Sequence, residues 1–206
     1  PTSSTGSWTR PRACWRSCAH DRAQRGPEAQ SALRHEVAIR SLVRPKGAPV
    51  SEPTGGRGTV LLLNGPNLNL LGTREPHLYG RDTLAIIERR LATRAKAAGI
   101  TLECLQTNHE GVAVDRVQQA KREGVGFIIL NPAAFTYSSI ALRDALTAVQ
   151  IPFVEVHLSN IHAREPWRAH SHFTAVAVGS ILGLGSRGYE LALEFAIGRL
   201  NGSGGA

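Results

Sequence analysis

The sequence has no methionine, three cysteines, few aromatic residues and no long apolar run. Each shortage excludes something. Cys14, Cys18 and Cys104 cannot build a disulfide framework, and the apolar strand pattern around Cys104 predicts an ordinary buried thiol in a reducing compartment, the cytoplasm. Cys14, Cys18 and His20 form a C-x3-C-x-H cluster, but no second ligand pair follows at zinc-site spacing, so no metal is expected. No apolar stretch reaches the ~20 residues that span a bilayer, and none near the start resembles a signal peptide, so no membrane association is expected.

Charge of one sign is scarce only in part of the chain. Lys and Arg outnumber Asp and Glu by 24 to 16, a formal net charge of +8. The excess is local: ten basic residues face four acidic ones in Pro1–Gly58, against fourteen and twelve in the remainder. A nucleic-acid surface would show Lys and Arg clustered along one face of the folded part, with aromatics between them. No such run exists, so no nucleic-acid partner is expected. Residues 1–58 are rich in Ser, Pro, Gly and Arg and lack a sustained apolar period, apart from a short helical pattern near Ala32 to Val43. They read as a basic, disordered extension. Its source is either an Arg- and Ser-rich transit peptide or upstream sequence joined by a misplaced start, the second being favoured. A chain beginning at Gly58 is expected to keep the melting temperature of the full chain; a lower value by calorimetry would show that the extension packs on the domain.

From Thr59 to Ala206 the pattern changes. Short runs rich in Val, Ile and Leu (59–63, 100–106, 125–130, 153–156 and 175–182) alternate with helical periodicity. Continuous apolar strands separated by helices indicate a parallel sheet covered on both faces. Leu84, Ile87, Leu91, Ala95 and Ala98 recur at helical spacing, with Asp82 placed as N-cap and Gly99 just past the end. Further helices are predicted over 112–123, 139–149 and 189–200. The expected fold is α/β, a flavodoxin-like three-layer sandwich with a five-stranded parallel sheet.

One connection is long. About eighteen residues, Asn64 to Arg81, separate the first strand from its helix, where two to six are usual, and long ordered loops of this kind often close over active sites. Three strand ends also finish in polar clusters. Asn64-Gly65-Pro66-Asn67-Leu68-Asn69 and Arg74-Glu75-Pro76-His77-Leu78-Tyr79-Gly80 follow the first strand. Asn131-Pro132-Ala133-Ala134-Phe135-Thr136-Tyr137-Ser138-Ser139 follows the third. Glu155-Val156-His157-Leu158-Ser159-Asn160-Ile161-His162 spans the end of the fourth. In a flavodoxin-like order these strands are neighbours, so the clusters converge on one crevice at their carboxyl ends.

In the combination NGPNLNLLGTREPHLYG, QTNHEG, NPAAFTYSSIALRDAL and EVHLSNIHARE, covering nearly all of Thr59 to Leu200, the chain resembles the type II 3-dehydroquinate dehydratases. The resemblance implies a cofactor-free, metal-free lyase that removes water from 3-dehydroquinate by anti elimination through an enolate, giving 3-dehydroshikimate. That step serves the shikimate pathway or quinate breakdown. The resemblance also implies a homo-oligomer, a dodecamer built of trimers.

The same resemblance assigns roles. Tyr79 is the expected base. A free tyrosine has a pKa of about 10, so only about one in a thousand is ionised at pH 7. A nearby guanidinium favours the phenolate, and Arg74 lies five residues away on the same loop. His157 is the expected acid, since an imidazole holds and delivers a proton near neutrality. Glu155, two residues back on the same strand and therefore on the same face, supports it. Asn131 and the backbone N–H groups of Leu158 and Ser159 are expected to hold the substrate carboxylate, and Asn67 the water beside the enolate oxygen. Arg168 matches a hydroxyl-binding arginine, and Asp144 a residue that reaches into a neighbouring subunit's site. One position departs from the family, which usually has T-H-T-S where this chain has Thr136-Tyr137-Ser138-Ser139. Tyr137 still donates and accepts one hydrogen bond but cannot carry positive charge.

Two rival readings fail on the residues. Gly183-Leu184-Gly185-Ser186-Arg187-Gly188 matches G-x-G-x-x-G, but a dinucleotide site needs a further strand and an acidic residue about twenty positions on, so the motif is read as a tight strand-to-helix turn. A flavin phosphate loop after the first strand would be rich in Ser, Thr and Gly; NGPNLN stands there instead.

Overall fold

The computed structural model describes residues 58–73 and 82–202. The N-terminal extension, its helical pattern near Ala32 to Val43, and the loop residues Arg74 and Tyr79 lie outside the described residues. Strands β1 (Thr59–Asn64), β2 (Thr101–Gln106), β3 (Phe127–Asn131), β4 (Phe153–His157) and β5 (Gly179–Leu182) pair in parallel in the order β2-β1-β3-β4-β5. Helices α1 (Leu84–Ala97), α2 (Glu110–Glu123), the single turn α3 (Phe135–Ser138), α4 (Ile140–Val149) and α5 (Arg187–Leu200), with three 3-10 turns at Leu68–Leu70, Ile161–Ala163 and Pro166–Arg168, complete the described elements.

The layers follow from the alternation of strand side chains. Val60, Leu62, Phe127, Ile129 and Val156 pack with Ile87 and Leu91 of α1 and with Ala192, Leu193 and Ala196 of α5. Leu61, Leu63, Ile128 and Leu130 pack on the other face with Val117 of α2 and Leu142, Leu146 and Val149 of α4. Both faces of β1, β3 and β4 are therefore covered, which is why β1 and β3 read as continuous apolar runs and β4 as an apolar run interrupted by Glu155. The three-layer sandwich is the one expected. Because β2 and β3 lie on opposite sides of β1, the chain reverses its winding direction between β1 and β3, and a crevice opens above their carboxyl ends.

Three expectations need correction. Thr83, rather than Asp82, caps α1, its hydroxyl accepting the Ile86 N–H at 3.3 Å. Asp82 instead accepts from Ser186 at 2.7 Å and Arg90 at 2.5 Å, and those two bonds hold its carboxyl below the usual carboxylate range. Cys104 is exposed, because β2 is an edge strand with only one neighbour. The fifth strand begins at Gly179 rather than Ala175. Phe173 is drawn fully into the core, and the Val176 and Ala177 N–H groups turn back onto its carbonyl at 2.9 and 3.0 Å, so the apolar run Ala175 to Val178 is a turn.

Candidate active site

A cavity of about 470 Å³ opens above the ends of β1, β3 and β4. Asn131 lines it, paired in register at the end of β3 with the buried Asn64 at the end of β1. There the chain after β1 crosses directly over the chain after β3. The Gly65 N–H donates to the Asn131 carbonyl at 2.8 Å, and a Cβ on Gly65 would lie 2.1 Å from the Pro132 carbonyl oxygen. That neighbour is backbone and cannot swing aside. Gly65→Ala is expected to lower stability by at least the ~1–3 kcal/mol of ordinary overpacking, read from the urea midpoint; an unchanged midpoint would show that the crossing is not tight.

Asn67 follows in the left-handed region, φ 65°, a conformation asparagine tolerates better than most residues. Its backbone N–H donates to Asn108 Oδ1 at 2.9 Å, while Gln106 Nε2 donates to that same oxygen at 3.1 Å and to the Gly65 carbonyl at 3.2 Å. The QTNHEG stretch after β2 thus buttresses the NGPNLN loop, a supporting role that its sequence alone does not disclose. Asn67, Asn131, Tyr137, His157, Leu158, Ser159 and Arg168 all line the cavity.

His157 closes β4 and is almost completely enclosed, at 5% exposure. Its Nε2 lies 2.8 Å from Glu155 Oε1. Glu155 is itself wholly buried, inside a parallel strand, where a carboxylate requires several donors. Ser171 supplies one at 2.6 Å, Thr174 a second at 2.6 Å and Ser180, opposite Glu155 on β5, a third at 3.4 Å. Burial alone would raise the carboxyl pKa, but the bonds from His157, Ser171 and Thr174 outweigh it and hold Glu155 below its ordinary value. All three hydroxyls donate to an ionised Glu155, so His157 Nε2 also donates and Nδ1 is the ring atom left for proton transfer.

Cationic and aromatic groups form the opposite wall. The Arg168 guanidinium stacks 4.0 Å from the centroid of the Trp167 ring, 5.9 Å from that of Tyr137, and its Nε donates to Glu165 at 2.6 Å. Trp167 and Tyr137 meet edge to face at 5.0 Å between centroids. Tyr137 therefore joins an aromatic-guanidinium stack. Arg164 lines the same wall. Backbone amides at strand ends, carboxamides and two guanidiniums suit a small, hydroxylated anion.

Asp144 does not join the cavity. It lies on α4 with its side chain 71% exposed, 3.6 Å from Arg143. Several contributors escaped sequence reading. Ser171, Thr174 and Ser180 had one usable signal, a Glu inside an apolar strand that must find donors; Trp167 had none. Asn64 and Tyr189, buried behind Asn131, are also new.

The G-x-G-x-x-G motif lies between β5 and α5 as a turn, with Gly183 and Gly185 at φ 79° and 56°. Their N–H groups donate to the His157 carbonyl at 3.1 Å and the Leu158 carbonyl at 2.9 Å, which fixes the backbone that carries the histidine.

The chain is also similar to known proteins. The family model described as dehydroquinase class II matches residues 58–197. The chain is 61% identical to the 3-dehydroquinate dehydratase of Alkalilimnicola ehrlichii over 144 residues, 70% of this chain and 95% of that one. It is 62% identical to 3-dehydroquinate dehydratase 1 of Pseudomonas putida over 142 residues, 69% and 94% of the two chains. The solved type II dehydroquinase of Butyrivibrio crossotus matches with a TM-score of 0.65 at 41% identity, over 70% of this chain and 97% of that one. On its sequence, its sheet order and its relatives, the chain belongs to the class II dehydroquinase family.

Proposed function

We propose that this protein is the hydro-lyase its relatives are named for, converting 3-dehydroquinate to 3-dehydroshikimate, with Tyr79 as base and His157 as acid. The observation that carries the reading is the His157–Glu155 pair, set at the end of β4 and opening on the same cavity as Asn67 and Asn131. The substrate carboxylate is received by the Asn131 carboxamide and the amides of Leu158 and Ser159. Tyr79, as phenolate beside Arg74, takes a proton from the carbon next to the ketone. The electron pair of that C–H bond becomes the enolate, whose oxygen is held by a water positioned by Asn67. The enolate then collapses, the C–O bond to the hydroxyl breaks, and His157 Nδ1 supplies the proton with which it leaves as water. Glu155 holds the imidazole by Nε2 so that Nδ1 is the atom presented for that step. Transfer of the proton from Tyr79 back to solvent and of one from solvent to His157 resets the site.

Arg168 and Tyr137 face the ring hydroxyls. Asp144 serves a neighbouring subunit, which its exposure and its place outside this chain's own cavity support, and the assembly is a dodecamer built of trimers in the cytoplasm. Among the described residues no helix is long and apolar enough to cross a membrane.

The test is to add 3-dehydroquinate to purified protein and follow the enone by its ultraviolet absorbance. A saturable rise that chelator leaves unchanged is the expected result. No enone at any protein concentration would overturn the reading, and a chelator-sensitive rate restored by zinc or magnesium would replace the acid-base route with a metal-assisted one.

A further inference from the structure

Tyr189 is the largest of the fully buried side chains. It occupies the first turns of α5 on the face turned to the sheet, a position where phenylalanine would satisfy the apolar pattern. The hydroxyl has a specific address. Its oxygen lies 2.6 Å from Asn131 Nδ2 and 2.7 Å from Asn64 Oδ1, the side chains that end β3 and β1. Of these three residues only Asn131 lines the cavity.

The orientation of each group in this chain can be deduced. The Ala133 backbone N–H, which can only donate, lies 3.3 Å from Asn131 Oδ1. That contact closes an Asx turn and holds Ala133 at φ 50°, an unfavourable conformation for a residue with a Cβ. Asn131 Oδ1 is therefore the acceptor, and Nδ2 is the atom turned to Tyr189. Burial pushes the phenol far above its ordinary range, so it stays neutral and has one hydrogen. It accepts from Asn131 and donates that hydrogen to Asn64. Reversing the Asn131 carboxamide would set its NH2 against the Ala133 N–H, donor against donor.

We infer that Tyr189 is a positioning residue: its buried hydroxyl, acting with the Ala133 amide, locks the Asn131 carboxamide so that Nδ2 keeps one N–H free for an anionic oxygen in the cavity. The inference rests on the reading above in which Asn131 receives the substrate carboxylate. Without the hydroxyl, only the longer Ala133 contact resists rotation, and the donor is no longer held in place before substrate arrives. Since the carboxylate stays bound through the reaction, the loss falls on substrate binding more than on the chemical step.

The experiment is a double-mutant cycle on the full chain, read as KM and kcat for 3-dehydroquinate. Tyr189→Phe is expected to raise KM by roughly tenfold, the scale of one neutral hydrogen bond, with kcat changed by less than about threefold. In the Asn131→Ala background the same substitution should leave KM unchanged, because the residue it acts through is gone. Equal factors in both backgrounds, or a loss confined to kcat, would overturn the inference and leave Tyr189 a packing residue. A second measurement needs neither turnover nor a folded Tyr189 variant. In 15N-labelled wild-type protein, the Asn131 side-chain NH2 pair is identified by its loss in Asn131→Ala. One hydrogen should exchange slowly with solvent and the other should shift when 3-dehydroquinate is added. Rapid exchange of both hydrogens would reject the role of Tyr189 even in an active enzyme. An inactive wild type with one protected hydrogen would reject the proposed reaction while sustaining the lock.

Discussion

Replacing His157 by Ala, or Tyr79 by Phe, is expected to lower kcat by ~10² or more, the usual scale for a general acid or base. The two losses arise at different bonds. Tyr79→Phe removes the base that takes the proton next to the ketone, while His157→Ala leaves the hydroxyl to depart unprotonated. Neither change should unfold the protein. His157 lies at the cavity edge of β4, and in its absence Glu155 keeps donors from Ser171 and Thr174, each at 2.6 Å. Circular dichroism and the melting temperature check that condition, and steady-state kinetics reads the effect. A variant that turns over at near the wild-type rate would remove its residue from the mechanism.

Glu155→Gln should cost both stability and rate, and the stability loss carries a pH signature. Glutamine keeps the shape but turns an NH2 group towards hydroxyls that now donate to a carboxylate, so about 3 kcal/mol is expected from one broken, buried, charge-assisted network. The Glu155 carboxyl titrates below its ordinary value in the folded chain. Its contribution is therefore fully present above the unfolded glutamate value of about 4.3 and disappears as the pH falls through the lower folded value. The gap in urea midpoint between wild type and Glu155→Gln should be widest near neutrality and narrow below about pH 4. A gap that stays constant down to pH 3 would mean that the carboxylate is not what the network stabilises. The rate should fall at least tenfold, because His157 Nε2 loses the carboxylate acceptor that fixes its ring orientation and tautomer.

The central sheet was legible in the sequence because β1, β3 and β4 are buried on both faces, which leaves Glu155 as the one charged residue inside their apolar runs. Edge strands obey weaker rules. Cys104 was expected inside and is exposed because β2 has one neighbour, and the fifth strand was expected four residues too early because Ala175 to Val178 is apolar for reasons other than pairing. That error and the missed donors fall in one segment. Ser171 and Thr174, on either side of the buried Phe173, both donate to Glu155, a demand visible in sequence while its answer is not. Within the site, Asn67, Asn131, Tyr137, His157, Leu158, Ser159 and Arg168 could be placed on one cavity from strand ends and motif blocks. Tyr189 could not, since a phenol on an apolar helix face gives no sign of which strand ends it will meet.

The partners of Glu155 also set an order of assembly. Ser171, Thr174 and Ser180 follow it by 16, 19 and 25 residues, and all come from the segment that leads into or forms β5. During folding, β4 can join β3 through apolar contacts alone, but it cannot bury an ionised carboxylate cheaply until those hydroxyls arrive. The expected result is that, in pulse-labelled refolding, hydrogen exchange at His157 and Leu158 becomes protected later than exchange at Leu62 or Ile129; simultaneous protection would show that β5 joins with the central strands. The ring of His157 thus depends on an edge strand through Glu155, and a mutation that loosens β5 is expected to lower activity while most of the core remains folded.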